Sequence, residues 1–400
     1  MKKQILTLIT ATVLTTMLCS CGKNEGEKET MTDNEKVTET VTEIDKDAFA
    51  SGIKTEDDNT TDADQAATAT PAGADTAQSE TGTDTGSQTG TSTGDSTDTQ
   101  PGISTTPTEA PTATPTPEPT PLVINDEIDV KCPASVTTTR KDVTYGAFTH
   151  GTYYSETCGM ERGYCILLPA DYSTEKKYPV LYLLHGIFGN EYSFSQDASN
   201  KIKEIVGNMA ADGYIEETII VCPDMYATSD PAQKPGFDGE SCLPYDNFIN
   251  DLVNDLMPYI EKEYSVLTGR ENTYLAGFSM GGRETLFIAL KKPELFGYVC
   301  AISAAPGIVA TTDKFMSHPG MLEESEVKFA EGAVTPEVFI LCCGSRDSVV
   351  GKYPKSYHEM LEANGTDHIW YEIPGADHDN DAIKSGLFNL FKQIANKKAE

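Results

Sequence analysis

The sequence predicts an α/β domain, with a mainly parallel β-sheet covered by helices on both faces. Three observations carry that expectation. Apolar, β-rich runs recur at residues 164–168, 180–184, 218–222, 273–276, 298–302, 338–342 and 369–373. Helix-length stretches separate most of them, at 201–211, 247–264, 281–292, 353–363 and 381–396. In the second stretch Phe248, Leu252, Leu256, Tyr259 and Ile260 recur at the three-to-four spacing of one buried helical face. Strand–helix alternation of this kind closes into parallel strands joined by helical crossovers.

The domain fills only part of the chain. The 400 residues carry 62 acidic and 30 basic side chains, a net charge of -32. Nucleic acid is not an expected partner, because neutralising phosphates needs a basic face. The charge is uneven: residues 22–121 hold 5 Lys against 21 acids, and residues 122–400 hold 23 basic against 41 acidic side chains. Only the second region can bury a sizeable core, and at 279 residues one domain and a monomer are expected.

Lys2 and Lys3 precede an apolar run at residues 5–18 that is too short and too Thr-rich to span a membrane. It reads as the core of a secretion signal over residues 1–20, so the protein is expected to be exported. The following Leu18-Cys19-Ser20-Cys21-Gly22 resembles a bacterial lipobox. That resemblance implies that Cys21 becomes the acylated first residue of a membrane-anchored lipoprotein. Stable anchoring would need more than one acyl chain. Residues 22–121 contain one aromatic side chain, Phe49, and about a quarter Thr. Such a segment buries too little apolar surface to offset its chain entropy. It ends in a Pro-Thr stretch that favours extended geometry, and about 100 residues of coil span roughly 55 Å. Residues 21–121 are therefore expected to tether the domain of residues 122–400 away from the membrane.

In parallel α/β folds the chemistry gathers at the carboxyl ends of the strands. Four apolar runs end in suggestive polar residues: His185-Gly186-Ile187-Phe188-Gly189, Gly277-Phe278-Ser279-Met280-Gly281-Gly282, Gly344-Ser345-Arg346-Asp347, and Pro374-Gly375-Ala376-Asp377-His378. A serine attacks only when a base removes its proton, and a sharp strand-to-helix turn with small flanking residues exposes its oxygen. Gly277-x-Ser279-x-Gly281 fits such an elbow. The base is expected to be His, since a free imidazole titrates near 6.5. Of the six His, His150, His318, His358 and His368 read as surface or structural residues, and His185 belongs to a turn with another use. His378, after the last strand, is the best base. Asp347 completes the order Ser, Asp, His and would fix the imidazole tautomer. Asp377 and Asp379 flank His378 and read as exposed. The run 377–381 mimics the start of a calcium loop but has Ala382 where Gly is needed, so no metal is expected. Ester attack builds an oxyanion that needs two backbone N–H donors. Met280 supplies one at a helix N-terminus, and Ile187 is the most plausible second.

Taken together, these residues resemble the esterase-D-like α/β-hydrolases, and within them the family-1 carbohydrate esterases that include feruloyl and acetylxylan esterases. The resemblance runs from about residue 145 to 393. It rests on Leu183-Leu184-His185-Gly186, Tyr245-x-Asn247-Phe248 with Asp251-Leu252, the Ser279 elbow, Ile302-Ser303-Ala304-Ala305-Pro306, Cys343-Gly344-Ser345-Arg346-Asp347-Ser348 and Gly375-x-x-His378-Asp379. It implies an α/β-hydrolase fold, with Ser279 as nucleophile, Asp347 as acid, His378 as base, and Ile187 and Met280 as oxyanion donors. It also implies cofactor-free hydrolysis of feruloyl or acetyl esters on plant cell-wall polysaccharide through an acyl-serine. A thioester hydrolase or acyltransferase and a non-catalytic surface-binding module are the alternatives. Phe188, Tyr192, Phe194, Tyr226, Phe237 and Tyr245 lie in segments that could line an aromatic cleft, and of these Phe188, Tyr226 and Tyr245 are the candidate substrate contacts. The segment 226–244 is the expected source of specificity. Cys222, Cys300 and Cys342 are expected as buried thiols, and a hairpin pairing of Cys158 with Cys165 is conceivable.

Overall fold

The structure, a computed structural model, describes residues 122–314 and 316–400. The expected signal at 1–20, Cys21 and the tether at 21–121 lie outside the described residues. Eight strands form one sheet: β1 (Phe148–Ser155), β2 (Met160–Leu167), β3 (Val180–Leu184), β4 (Ile219–Pro223), β5 (Thr273–Phe278), β6 (Tyr298–Ile302), β9 (Val338–Gly344) and β10 (Ile369–Ile373). A separate two-stranded ribbon holds β7 (Thr311–Thr312) and β8 (Ser317–His318). The order across the large sheet is β1-β2-β4-β3-β5-β6-β9-β10. From β4 to β10 every pairing is parallel, whereas β1 with β2 and β2 with β4 are antiparallel.

The strand periodicity of two divides the core into two layers. In β3, Val180, Tyr182 and Leu184 join one apolar cluster, while Leu181 and Leu183 join the other. In β9, Phe339 and Leu341 face the first layer and Val338, Ile340 and Cys342 the second. The first layer is closed by the helical segment 248–263, by Met280–Lys291 and by Tyr353–Ala363. The second is closed by Ile202–Ala211 and by Asn380–Ala399. Burial on both faces is why the sequence shows continuous apolar runs rather than alternation.

Some elements depart from expectation. β1 is absent from the apolar runs because it is an edge strand that reads Phe-Thr-His-Gly-Thr-Tyr-Tyr-Ser with only Tyr153 and Ser155 buried. The segment 226–244 is not wholly loop: Gly239–Asp246 is a helix that contains Pro244, capped by Asp238 accepting from the Ser241 N–H at 2.9 Å. Its first turn can carry a capping carboxylate without help from an apolar stripe. The helical segment 248–263 contains a π-turn at Leu252–Leu256. The conceivable Cys158–Cys165 bridge does not form. Both are free buried thiols, and β-sheet register places Cys165 opposite His150 and Cys222 instead. Cys222, Cys300 and Cys342 are buried and free.

Candidate active site

The carboxyl ends of β3, β5, β9 and β10 bring the predicted residues to one rim of the sheet. Ser279 sits between β5 and the helix Met280–Lys291 with φ 60° and ψ -116°, a left-handed conformation that few non-glycine residues adopt. The turn that imposes it is crowded with backbone. A Cβ on Gly281 would collide with the Leu184 carbonyl and lie 2.7 Å from His185 O. One on Gly277 would collide with Gly281 O and lie 2.7 Å from Thr285 Oγ1. The elbow glycines thus let β5 and its helix close against β3. The stretch after β6 pins the serine from the other side: the Ser279 N–H donates to Ile302 O at 2.9 Å, and the Ala305 N–H donates to Ser279 O at 3.0 Å.

His378 is buried beside it. Its Nδ1 lies 2.9 Å from Asp347 Oδ2. The other carboxylate oxygen, Oδ1, accepts from the backbone N–H groups of Val349 at 3.1 Å and Val350 at 3.0 Å. An ionised carboxylate only accepts, so the imidazole proton resides on Nδ1. Burial pushes the Asp347 carboxyl up, but the His378 hydrogen bond and charge, with the Val350 N–H, hold it below the ordinary carboxylate range. The opposite ring nitrogen, Nε2, is buried with no hydrogen-bond partner among the described residues. Phe278 packs on the imidazole with ring centroids 4.4 Å apart. Ser279 and His378 line the same pocket, together with Gly186, Ile187, Phe194 and Phe278.

The turn after β3 completes the rim. A Cβ on Gly186 would stand 3.4 Å from Ser279 Cβ, so the turn approaches the serine at van der Waals distance. Phe188 has φ 62°, and its N–H donates to Tyr245 Oη at 3.1 Å. The Ile187 N–H makes no hydrogen bond among the described residues. Met280 takes the first helical position, where an N–H lacks an intrahelical acceptor. Of the two candidate oxyanion donors, Ile187 thus follows the glycine that abuts the serine and Met280 directly follows the serine itself.

None of the three candidate substrate contacts, Phe188, Tyr226 and Tyr245, lines this pocket. Tyr245 is fully buried and its hydroxyl is committed to the Phe188 N–H, so it braces the turn. Tyr226 is buried, packs edge-on against Tyr245 at 5.0 Å and donates to Ser241 O at 3.2 Å. Phe188 is half-buried and packs on Phe237 at 5.1 Å rather than on the pocket wall. The aromatic walls are Phe194, one of the residues the sequence offers for such a cleft, and Phe278. Phe278 lies inside the elbow motif itself.

Asp377 and Asp379 are not the free loop acids they resemble. Asp377 Oδ1 accepts from the Ser348 N–H at 2.8 Å, the Ser348 hydroxyl at 2.9 Å and the His378 N–H at 2.9 Å. It thereby clamps the loop carrying His378 to the loop carrying Asp347. Asp379 caps the last helix, accepting from the Asp381 N–H at 3.0 Å. His185, His318, His358 and His368 lie outside any base role. His318 is buried with Nε2 2.9 Å from Asp246 Oδ2, and His358 Nδ1 lies 2.8 Å from His368 Nε2.

Comparison with known proteins agrees with this architecture. The Esterase family model matches residues 155–339. An endo-1,4-beta-xylanase/feruloyl esterase of Xylanibacter ruminicola is 34% identical over 164 residues, which is 40% of this chain and 22% of that protein. An endo-1,4-beta-xylanase Y of Acetivibrio thermocellus is 28% identical over 149 residues, 34% of this chain and 12% of that protein. The chain thus spans about a fifth or less of these curated relatives. Among solved structures, a CE1 ferulic acid esterase from Anaeromyces mucronatus in complex with ferulic acid is 44% identical with a TM-score of 0.63, covering 66% of this chain and 97% of that one. With nearly the whole of that domain matched at this identity, the chain belongs to the CE1 esterases, a family of carboxylic ester hydrolases with the α/β-hydrolase fold.

Proposed function

We propose that the protein is a feruloyl esterase-type carbohydrate esterase that cleaves acyl groups from plant cell-wall polysaccharide through an acyl-serine intermediate. The observation that carries this reading is the His378 ring: Nδ1 is tied to Asp347 and Nε2 is buried and unpartnered beside an elbow serine. An imidazole held in that tautomer presents a lone pair for one proton. In the proposed cycle Nε2 takes the Ser279 hydroxyl proton as Oγ bonds to the ester carbonyl carbon. The carbonyl oxygen becomes an oxyanion facing the Ile187 and Met280 N–H groups. Collapse breaks the bond to the sugar oxygen, which leaves with the proton from Nε2. Water then gives a proton to Nε2, attacks the acyl carbon and releases the carboxylic acid, returning the proton to Ser279. No step needs a cofactor.

Support for a feruloyl group comes from the aromatic walls Phe194 and Phe278 and from the ferulic acid esterases among the similar structures. Comparing native protein with Ser279→Ala on methyl ferulate and acetylated xylan tests both points. Turnover of methyl ferulate that disappears in the variant is expected, and equal rates for the two proteins would refute the mechanism. Faster acetate release than ferulate release would move the acyl specificity to acetyl groups.

Export and lipid anchorage are also proposed, on the signal-like residues 1–20 and the lipobox-like residues around Cys21. Radiolabelled palmitate incorporated by the native chain but not by Cys21→Ser tests them. Sedimentation of the protein in detergent tests the proposed monomer.

A further inference from the structure

The antiparallel edge of the sheet holds a buried cation with no role in the cycle above. Arg162, in β2, is 5% exposed. Its Nε donates to Asp251 Oδ2 at 2.9 Å, an oxygen that also accepts from Tyr153 Oη at 2.6 Å. The rest of its fork is turned toward backbone: Nη1 donates to Tyr226 O at 2.9 Å and Nη2 to Asp224 O at 2.6 Å. A buried ion pair is weak evidence for stability in itself, so where its donors point is the informative part. These two carbonyls flank Met225.

From Met225 a single chain of hydrogen bonds reaches the oxyanion turn. The Met225 N–H donates to His185 Nε2 at 3.1 Å. That nitrogen is therefore the acceptor, and the ring proton sits on Nδ1, 2.7 Å from Gly186 O. His185 is 1% exposed, so its ring has no room to reorient. The Gly186 carbonyl and the Ile187 N–H are the two ends of one planar peptide unit. A bond that fixes the carbonyl end also fixes the direction of the N–H. The Gly189 N–H adds a second bond to the same carbonyl at 3.1 Å.

We infer that Arg162 is a positioning residue for the oxyanion hole, aiming the Ile187 N–H through Met225, His185 and the Gly186–Ile187 peptide plane. The inference rests on the esterase reading of Ser279 and Ile187. A guanidinium suits the task because its planar fork holds two carbonyls and one carboxylate at once, whereas an ammonium is a compact point donor. Met225, which carries the relay, supplies only its backbone.

The test uses the full chain as native protein, Arg162→Lys, Arg162→Ala and Ser279→Ala. Rates are measured on methyl ferulate, inhibition with phenylboronic acid, and folding by urea titration. A boronic acid forms a tetrahedral adduct with a reactive serine, so its affinity reports the oxyanion donors rather than ground-state binding. Removing one such donor costs roughly 100- to 1000-fold in kcat, so misaiming it in Arg162→Lys should cost about 10- to 100-fold, with KM within about twofold of native. The boronic acid should weaken by the same factor. Low-millimolar guanidinium should restore part of the kcat of Arg162→Ala. If that variant does not fold, Arg162→Lys and the boronic acid carry the decision. Native kcat and boronic acid affinity in a variant with only a lowered urea midpoint would make Arg162 purely structural and overturn the proposal. A rise in KM at constant kcat would do the same. Turnover by Ser279→Ala would instead refute the esterase reading, whatever Arg162 does.

Discussion

Replacing Asp347 by Asn isolates what the carboxylate does, because its surroundings dictate how the amide must sit. Asp347 Oδ1 accepts two backbone N–H groups, from Val349 and Val350, while Oδ2 faces one donor, His378 Nδ1. An asparagine keeps its carbonyl toward the two N–H groups, since the reverse orientation would set its NH2 against both. The NH2 then lies opposite His378 Nδ1 at the former 2.9 Å contact. Two donors cannot share that contact, so the imidazole moves its proton to Nε2 and Nδ1 becomes the acceptor. All three hydrogen bonds survive, and urea stability should change by no more than about 1 kcal/mol. The proposed base does not survive, because Nε2, the nitrogen left free to accept a proton, now carries a hydrogen. A wrong-tautomer imidazole costs roughly 10,000-fold in kcat, or about 5.5 kcal/mol of activation free energy. Steady-state kinetics on methyl ferulate should show that loss with KM changed by less than about threefold, since ground-state contacts are untouched. A variant that is folded and retains kcat within tenfold of native would refute the tautomer argument and remove Asp347 from the mechanism.

Other perturbations give separate expectations. Gly281→Ala drives a methyl group into the Leu184 and His185 carbonyls, backbone that cannot give way cheaply. It should destabilise the fold by about 2 kcal/mol or more and depress kcat, and native urea stability would contradict the crowding argument. Tyr245→Phe leaves the buried Phe188 N–H without its acceptor. Stability should fall by about 1–3 kcal/mol and kcat more than KM, as read by urea titration and initial rates. Asp347 and Asp377 are both held below the ordinary carboxylate range; burial raises each, but hydrogen bonds outweigh it. Carboxyls depressed on folding contribute stability that is present above their unfolded values, near 4, and lost as pH falls through the lower folded values. Urea midpoints should therefore hold from pH 7 to about 5 and drop below about pH 4, and a midpoint that rises on acidification would contradict this. The eight cysteines of the described residues are free, and seven of them are buried. Burial pushes Cys132, the half-buried one, up to about 12. A thiol reagent at pH 8 should label these residues slowly until the protein is unfolded, with no change in mobility on reduction.

What the sequence disclosed and what it withheld divide along a physical line. The central strands were legible because burial on both faces makes each a short apolar run, and Val180–Leu184, Tyr298–Ile302 and Ile369–Ile373 lie where those runs lie. Ser279, Asp347 and His378 are legible because each lies in the turn that follows such a run, and the structure brings all three to one rim. β1 was not, since an edge strand exposed to water carries no apolar signature. Asp377 was misread as solvated because its partner, Ser348, is 29 residues away, and a local pattern does not reveal a loop-to-loop clamp. Phe188, Tyr226 and Tyr245 read as substrate contacts for a related reason, although none of them lines the pocket. Aromatic composition says that a side chain will be buried, not whether it faces a pocket or a neighbouring helix.

The same line runs through the oxyanion turn. The turn is held from three directions: by the Tyr245 hydroxyl on the Phe188 N–H, by the His185 ring on Gly186 O, and by the close approach of Gly186 to Ser279. The first support comes from the Pro-containing helix Gly239–Asp246, and the second traces back through Met225 to Arg162 on an antiparallel strand. Both lie outside the parallel strands whose ends carry Ser279, Asp347 and His378. An α/β scaffold can thus keep its reacting groups at the strand ends while setting their efficiency from its periphery. Substitutions at Tyr245 and Arg162 should consequently grade kcat in steps, whereas in the proposed triad losing Ser279 or His378 should cost nearly as much as losing both, and losing Asp347 less. Combining Tyr245→Phe with Arg162→Lys would separate these cases. Two independent supports of one turn should give a double variant whose loss in log kcat approaches the sum of the single losses. A double variant no slower than the worse single would mean that both contacts brace the turn through a shared path.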